Sequence, residues 1–307
     1  MRWRSLVGDA VTRIPGVPGL AVRLWGETYV RYPRPEHPLF SRLRSRLGYR
    51  MRRRVSLVTG QPIEVDPFDA VGGEIARHGA YEPETVAVWR AILAPGMVVV
   101  DAGSHVGQYA IIASPLVGPR GSVHAFEPDP QTFTQLTTNV RLNRCANVVC
   151  TQAALARERG RAPLFLADVS NVGGNSLRPT VCTRGRQRDV AVDTLDDYAA
   201  VHSLARLDVL KADVEGAELL VLEGGAGLIA RGRPLMLLEF SINTVAFGYT
   251  EADLRDRLAR WGYLLFCIGP LPLRALGATA PALDFYNVLA VPAPAEAGLA
   301  ARGVLRA

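Results

Sequence analysis

The chain is 307 residues long, with 49% hydrophobic and 21% charged residues, a balance that excludes wholesale disorder, a collagen-like repeat and a coiled coil and suits one large domain with an appendage. No apolar run approaches the roughly 20 residues needed to cross a bilayer. Asp9, Arg13 and Pro15 interrupt the opening stretch before a signal-peptide core could form, so the sequence reads as cytoplasmic, with its four cysteines reduced.

The formal charge of +6 is concentrated in the first 54 residues, where thirteen Arg face three acids. Such a run could meet nucleic acid or an anionic membrane surface. Lys211 is, however, the single Lys of the chain, and every other basic residue is Arg. The Arg excess is thus a bias of the whole composition, so no nucleic-acid partner is read, and a weak membrane-surface contact is the most the leader suggests.

Residues 1–50 show no sustained period and read as a loose leader. VSLVTG and QPIEVD (55–66) read as two short strands, followed by helical patterns near 70–78 and 82–93. MVVVD (97–101) is a continuous apolar run ending in an acid, as a strand covered on both faces should be, and a helical period follows it. SVHAFE (122–127), the helix 130–143 and NVVCTQAAL (147–155) complete a βαβαβ unit. An antiparallel excursion through APLFLADVS and RDVAVDTL precedes LDVLKAD (207–213), which restores a buried parallel strand. A helix over 217–230, the strand PLMLLEF, a helix from 251, and YLLFCIG and FYNVLAV as two strands without an intervening helix close the pattern. The chain divides into a leader 1–54, an extension 55–95, a doubly wound α/β domain 96–291 and an Ala/Pro-rich tail 292–307.

In a doubly wound sheet the ligand sits at the carboxyl ends of the strands. Those ends are Asp101 to Gly107, Glu127 to Asp129 with Pro128 between them, Ala153 and Ala154, Asp213 to Glu218, and Glu239. In DAGSHVG, Gly103 and Gly107 form a turn into a helix, but His105 and Gln108 replace glycines of a dinucleotide fingerprint. The loop can still cradle a nucleoside with an amino-acid tail. Glu127, twenty residues beyond Gly107, can accept hydrogen bonds from both hydroxyls of an unphosphorylated ribose. Lys211 and Asp213 share one strand face, roughly 6 to 7 Å apart by the strand rise. A Lys in a strand covered on both faces needs a partner. Unlike Arg, it can also lose a proton, so it reads equally as a base or a structural cation. Glu215 and Glu218 suit a helix start with or without catalysis. Asp213 and Glu239 could hold a hard cation, but no metal is assigned. His78, His124 and His202 are isolated and support no hydrolase triad.

The stretch from VVVDAGSHVGQYAII through VHAFEPDPQTFTQL, GNSL, VDTLDD, LKADVEGAELLVLEGG and RPLMLLEF resembles the FkbM family of S-adenosylmethionine-dependent methyltransferases over about residues 80–291. The resemblance implies a class I methyltransferase fold, a Rossmann-like, mostly parallel sheet closed by an antiparallel C-terminal strand pair. It also implies S-adenosylmethionine as cofactor and O-methylation of a small molecule, sugar or natural product. Ser104 and His105 stand where the family usually has Ala and Asn, and Ala212 where it has an aliphatic residue. HGAYEPET (78–85) is similar to the segment before the first family motif, which implies that Glu82 reaches the amino-acid end of the cofactor. The resulting site has Lys211, Asp213 and Glu215 as catalytic residues, and Glu82, Asp101, Gly103, His105, Gly107, Glu127, Pro128, Ala153 and Asp213 around the cofactor. A nicotinamide-dependent oxidoreductase and a non-catalytic partner protein are the alternative readings.

Overall fold

The computed structural model describes residues 50–168, 170–277, 281 and 283–306. The Arg-rich leader therefore lies outside the described residues up to position 49. In chain order the elements are β1 (Arg53–Ser56), β2 (Pro62–Val65), α1 (Ala70–His78), α2 (Pro83–Ile92), β3 (Val98–Ala102), α3 (Gln108–Val117), β4 (Ser122–Phe126), α4 (Pro130–Leu142) and β5 (Val148–Thr151). They continue with β6 (Ala154–Leu155), β7 (Gly160–Ala167), β8 (Thr183–Asp193), α5 (Leu195–Val201), β9 (Val209–Ala212), α6 (Glu218–Gly224), α7 (Ala226–Gly232) and β10 (Leu235–Ser241). The last are α8 (Glu251–Arg260), β11 (Tyr263–Cys267), β12 (Arg274–Ala275), β13 (Phe285–Pro292) and α9 (Glu296–Ala301).

Eight strands form the main sheet in the order β12-β11-β13-β10-β9-β3-β4-β5. Strands β5, β4, β3, β9 and β10 run parallel, and β13 inserts antiparallel between β10 and β11. This is the expected class I methyltransferase arrangement, with the closing antiparallel pair in place. Continuous apolar runs serve as strands here because both faces are covered. Val99, Val209, Leu235 and Leu237 enter one core with Trp89 and Ile111, while Val100, Leu210, Met236 and Leu238 enter the other with Tyr198 and Leu222.

Three segments differ from their reading in the sequence. NVVCTQAAL is two strands, because the chain turns after Thr151: β5 ends the main sheet, whereas β6 joins β8 and β7 in a separate three-stranded sheet. The helix expected over 217–230 is broken into α6 and α7 at Gly224 and Gly225. There a Cβ on Gly224 would lie 2.1 Å from the Ala156 carbonyl oxygen, so close packing fixes the break. In place of a loose tail after Val291, β13 runs to Pro292 and α9 follows, with Leu299, Val304 and Leu305 buried and Leu305 bridged to Leu273.

Candidate active site

Strand ends β3, β4, β9 and β10 open into a cleft bordered by α1 and the turn at Val172–Gly174. On the β3 side, Gly103 has φ 79°, and a Cβ there would lie 1.9 Å from the Asp213 carbonyl oxygen. Only glycine lets the first loop pass this close to the end of β9. Glu127, 7% exposed at the end of β4, accepts from the His105 N–H (3.1 Å) and the Asp129 N–H (2.8 Å). Burial nevertheless pushes its carboxyl up to about 8. Asp129 beside it is fully buried and ion-paired with Arg50 and Arg188, each at 3.0 Å.

The β9 and β10 side is a row of charge on one sheet face. Asp101 and Lys211 are register partners across the parallel pair β3 and β9, and Glu239 and Asn287 across the antiparallel pair β10 and β13. The Lys211 ammonium is 2.8 Å from Asp213 Oδ2 and lies 4.5 Å from the centre of the Tyr109 ring. Burial opposes its charge, but Asp213, Asp101 and Glu82 outweigh this, and the pKa is raised. Glu82 accepts from Asn287 Nδ2 at 2.8 Å and from the Tyr109 hydroxyl at 3.1 Å. Burial and then Asp213 raise its pKa. Glu239 is driven well above its ordinary value by burial and by Asp213, Glu215, Glu218 and Glu82, and its Oε2 has no hydrogen-bond partner among the described residues. Glu215 accepts from Asn243 Nδ2 at 2.9 Å, and burial followed by Asp213 pushes it up to about 8.

Three non-glycine residues of this region, Glu82, His105 and Glu215, adopt the left-handed backbone conformation, with φ of 52°, 49° and 54°. Such strain concentrates where a side chain must be aimed. His105 is aimed at α1: its Nε2 is 3.9 Å from Asp69 Oδ2, while Nδ1 has no partner among the described residues. Burial lowers its pKa, and the ring borders the cleft.

Of the residues singled out in the sequence, Lys211, Asp213, Glu215, Gly103, His105, Glu127, Pro128 and Ala153 line the cleft. Glu82, Asp101 and Gly107 do not. Asp101 is wholly buried beside Lys211 on the neighbouring strand, Gly107 at the start of α3 packs on Leu136, and Glu82 is tied to Tyr109 and Asn287. Glu218 turns its Oε1 to the Val214 and Gly216 N–H groups and so shapes the loop rather than the cleft. His124 and His202, expected to be isolated, both meet Tyr198, His124 edge-on and His202 stacked. Sequence reasoning missed Tyr109, Asn287 and Asn243. The signal for Asn287 was a polar residue inside the apolar run FYNVLAV. Among the described residues no group of three or more His, Cys, Asp or Glu side chains is placed to hold a metal ion, and no helix is long and apolar enough to cross a membrane.

A sequence model described as the methyltransferase FkbM domain matches residues 101–265. The chain is 31% identical over 143 residues to Methyltransferase 1 of Beauveria bassiana, covering 41% of this chain and 57% of that protein. It is 30% identical over 161 residues to the 31-O-demethyl-FK506 methyltransferase FkbM of Streptomyces tacrolimicus, covering 43% and 60%. It is 32% identical over 135 residues to the hexuronic acid methyltransferase AglP of Haloferax volcanii, covering 41% and 49%. The match thus spans between about half and three fifths of these relatives' own length. None of these similarities supports the nicotinamide-dependent reading.

Proposed function

The chain belongs to the FkbM family of S-adenosylmethionine-dependent methyltransferases, and we propose that it methylates a hydroxyl of a small molecule, sugar or natural product. The observation that carries this reading is the division of the cleft, with the buried acid Glu127 at one end and a row of carboxylates around a single ammonium at the other. The names of two relatives, which act on O-demethyl-FK506 and on a hexuronic acid, support the acceptor class.

The cleft suits the cofactor. Glu127 already takes two N–H groups, and its remaining lone pairs are free for ribose hydroxyls. Pro128 and Ala153 line the neighbouring wall for the adenine, and Gly103 brings the backbone close. Burial, and after it the neighbouring charge of Asp213, raises the pKa of Glu82, Glu215 and Glu239. Positive sulfonium and ammonium groups would relieve that repulsion.

When bound, S-adenosylmethionine supplies an electrophilic methyl group, whose carbon–sulfur bond breaks as the acceptor oxygen bonds to carbon. The protein holds the two partners in line and takes the hydroxyl proton. We assign that proton to Asp213, which lines the cleft and is fixed through Oδ2 by the Lys211 ammonium. Lys211 stays charged and positions Asp213, so it is not the base. Glu215, anchored by Asn243, orients the hydroxyl from the other side.

Titration calorimetry tests the proposal: micromolar affinity for S-adenosylmethionine and its demethylated product, with no heat on adding NAD, is the expected result. Binding of NAD without binding of S-adenosylhomocysteine would overturn it.

A further inference from the structure

Among the acids that line the cleft, Glu239 is the one to which methyl transfer from a cofactor on Glu127 to a hydroxyl on Asp213 gives no role. It is 8% exposed, and its Oε2 has no hydrogen-bond partner among the described residues. The donors around it serve other acids. Lys211 holds Asp213 at 2.8 Å, Asn243 Nδ2 holds Glu215 at 2.9 Å, and Asn287, the register partner of Glu239, gives its Nδ2 to Glu82 at 2.8 Å. A buried carboxylate left without a counter-charge is costly unless its partner arrives from outside the chain.

Strand order fixes where Glu239 stands. Ala212 and Leu238 are register partners in parallel strands, so Asp213 and Glu239 follow side by side at the ends of β9 and β10, about 4.8 Å apart at the backbone. Glu239 lies two residues beyond Leu237, the register partner of Lys211, and therefore shares the sheet face of Lys211 and Asp101. Glu127, at the end of β4, is three strands away from it, with Gly103 after β3 and Asp213 after β9 between them. A hydroxyl on Asp213 is thus flanked by Glu239 on the side away from Glu127.

The charge of this end of the cleft is one-sided. Asp213, Glu215 and Glu239 meet a single cation, Lys211, and among the described residues no arginine lines the cleft, although every basic residue of the chain except Lys211 is Arg. S-adenosylmethionine carries a sulfonium, an ammonium and a carboxylate, so it brings one net positive charge and leaves one of these carboxylates unmatched. Resting on the methyltransferase reading above, we infer that Glu239 anchors an ammonium group of the acceptor, so that the substrate class is an amino alcohol, such as an amino sugar, whose hydroxyl meets Asp213 and Glu215. An acceptor bearing a carboxylate or a phosphate would find no arginine to receive it, and the Lys211 ammonium is already engaged by Asp213. A neutral acceptor would leave Glu239 without a counter-charge.

The test titrates three probes on one sugar skeleton, glucosamine, glucose and glucuronic acid, into the full chain saturated with S-adenosylhomocysteine at neutral pH and low salt. Glucosamine is expected to bind at least about tenfold more tightly than glucose, the scale of a hydrogen bond to a charged group, and glucuronic acid more weakly than either. Glu239→Gln, which keeps the shape of the side chain and removes its charge, should abolish the preference for glucosamine and keep the affinity for S-adenosylhomocysteine. Equal binding of the three probes, no binding of glucosamine, or a preference that survives Glu239→Gln would overturn the inference. So would a loss of S-adenosylhomocysteine affinity in Glu239→Gln, which would give Glu239 to the cofactor's own ammonium, or a heat of magnesium binding that the variant abolishes. A chain that fails to bind S-adenosylhomocysteine at all refutes the methyltransferase proposal instead, so the two failures are distinguishable.

Discussion

Replacing Glu127 with Ala removes two hydrogen bonds to a charged group at the ribose position while sparing the strand that carries it. We expect S-adenosylmethionine affinity to fall by about 1.5 to 3 kcal/mol with an unchanged fold, measured by calorimetry and circular dichroism. The same carboxyl gives a pH signature. Its native value, raised to about 8 by burial, means that the folded protein keeps a proton that the unfolded chain releases near 4.5. Unliganded stability from this group therefore falls as pH climbs from about 4.5 toward 8. Cofactor affinity should move the other way and rise between pH 6.5 and 9, because ribose hydroxyls donate to the ionised form, and Glu127→Gln should flatten that rise. At position 211 the expectation follows from a cation held by three acids. Lys211→Arg should bind cofactor normally and retain most of its single-turnover rate. Lys211→Met should lose about 3 to 5 kcal/mol of stability in chemical denaturation, because Asp213 and Asp101 are left without their counter-charge. A rate loss of several orders of magnitude in the Arg variant would return Lys211 to the role of base.

At the scale of elements, the boundary drawn after residue 54 falls inside β1, and Arg50 already belongs to the folded part. Arg50 pairs with Asp129 and donates to Thr132 at the start of α4, and the Met51 N–H bonds to Asp66. A chain starting at Arg50 should therefore bind S-adenosylhomocysteine like the full chain, whereas one starting at Leu57 should melt several degrees lower and bind more weakly. Equal melting of the two would show that the β1–β2 ribbon is dispensable. The order of strands and helices from β3 onward was legible in the sequence because burial on both faces leaves an unbroken apolar run. The division of 147–155 was not, because Val148–Thr151 and Ala154–Leu155 form a nearly continuous apolar stretch and only tertiary pairing decides which sheet each joins. The docking of α9 was hidden for a related reason: Leu299, Val304 and Leu305 are the only large apolar side chains after Val291, too sparse to show a period. The candidate site was legible at Gly103, Glu127, Asp213 and Glu239, glycine or acidic residues at strand ends that line the cleft. It was illegible where contacts come from distant segments, as with Asn287 on Glu82, 205 positions apart.

For the molecule as a whole, cofactor and fold should be linked by mass action. S-adenosylhomocysteine at a hundred times its dissociation constant should add about 2.7 kcal/mol of stability and raise the melting temperature by roughly 5 to 10 °C, an increment that Glu127→Ala should shrink at equal ligand concentration. The left-handed residues Glu82, His105 and Glu215 bear on the same balance from the opposite side. Each costs about 1 kcal/mol relative to a glycine in that conformation, and Glu215 also sits among like charges. Glycine would relieve that backbone cost at all three positions. Glu215→Gly should consequently yield a protein that melts higher and works worse. A library of this chain screened only for heat resistance would then drift toward glycine at 215, keeping its fold while giving up the side chain that Asn243 anchors beside Asp213.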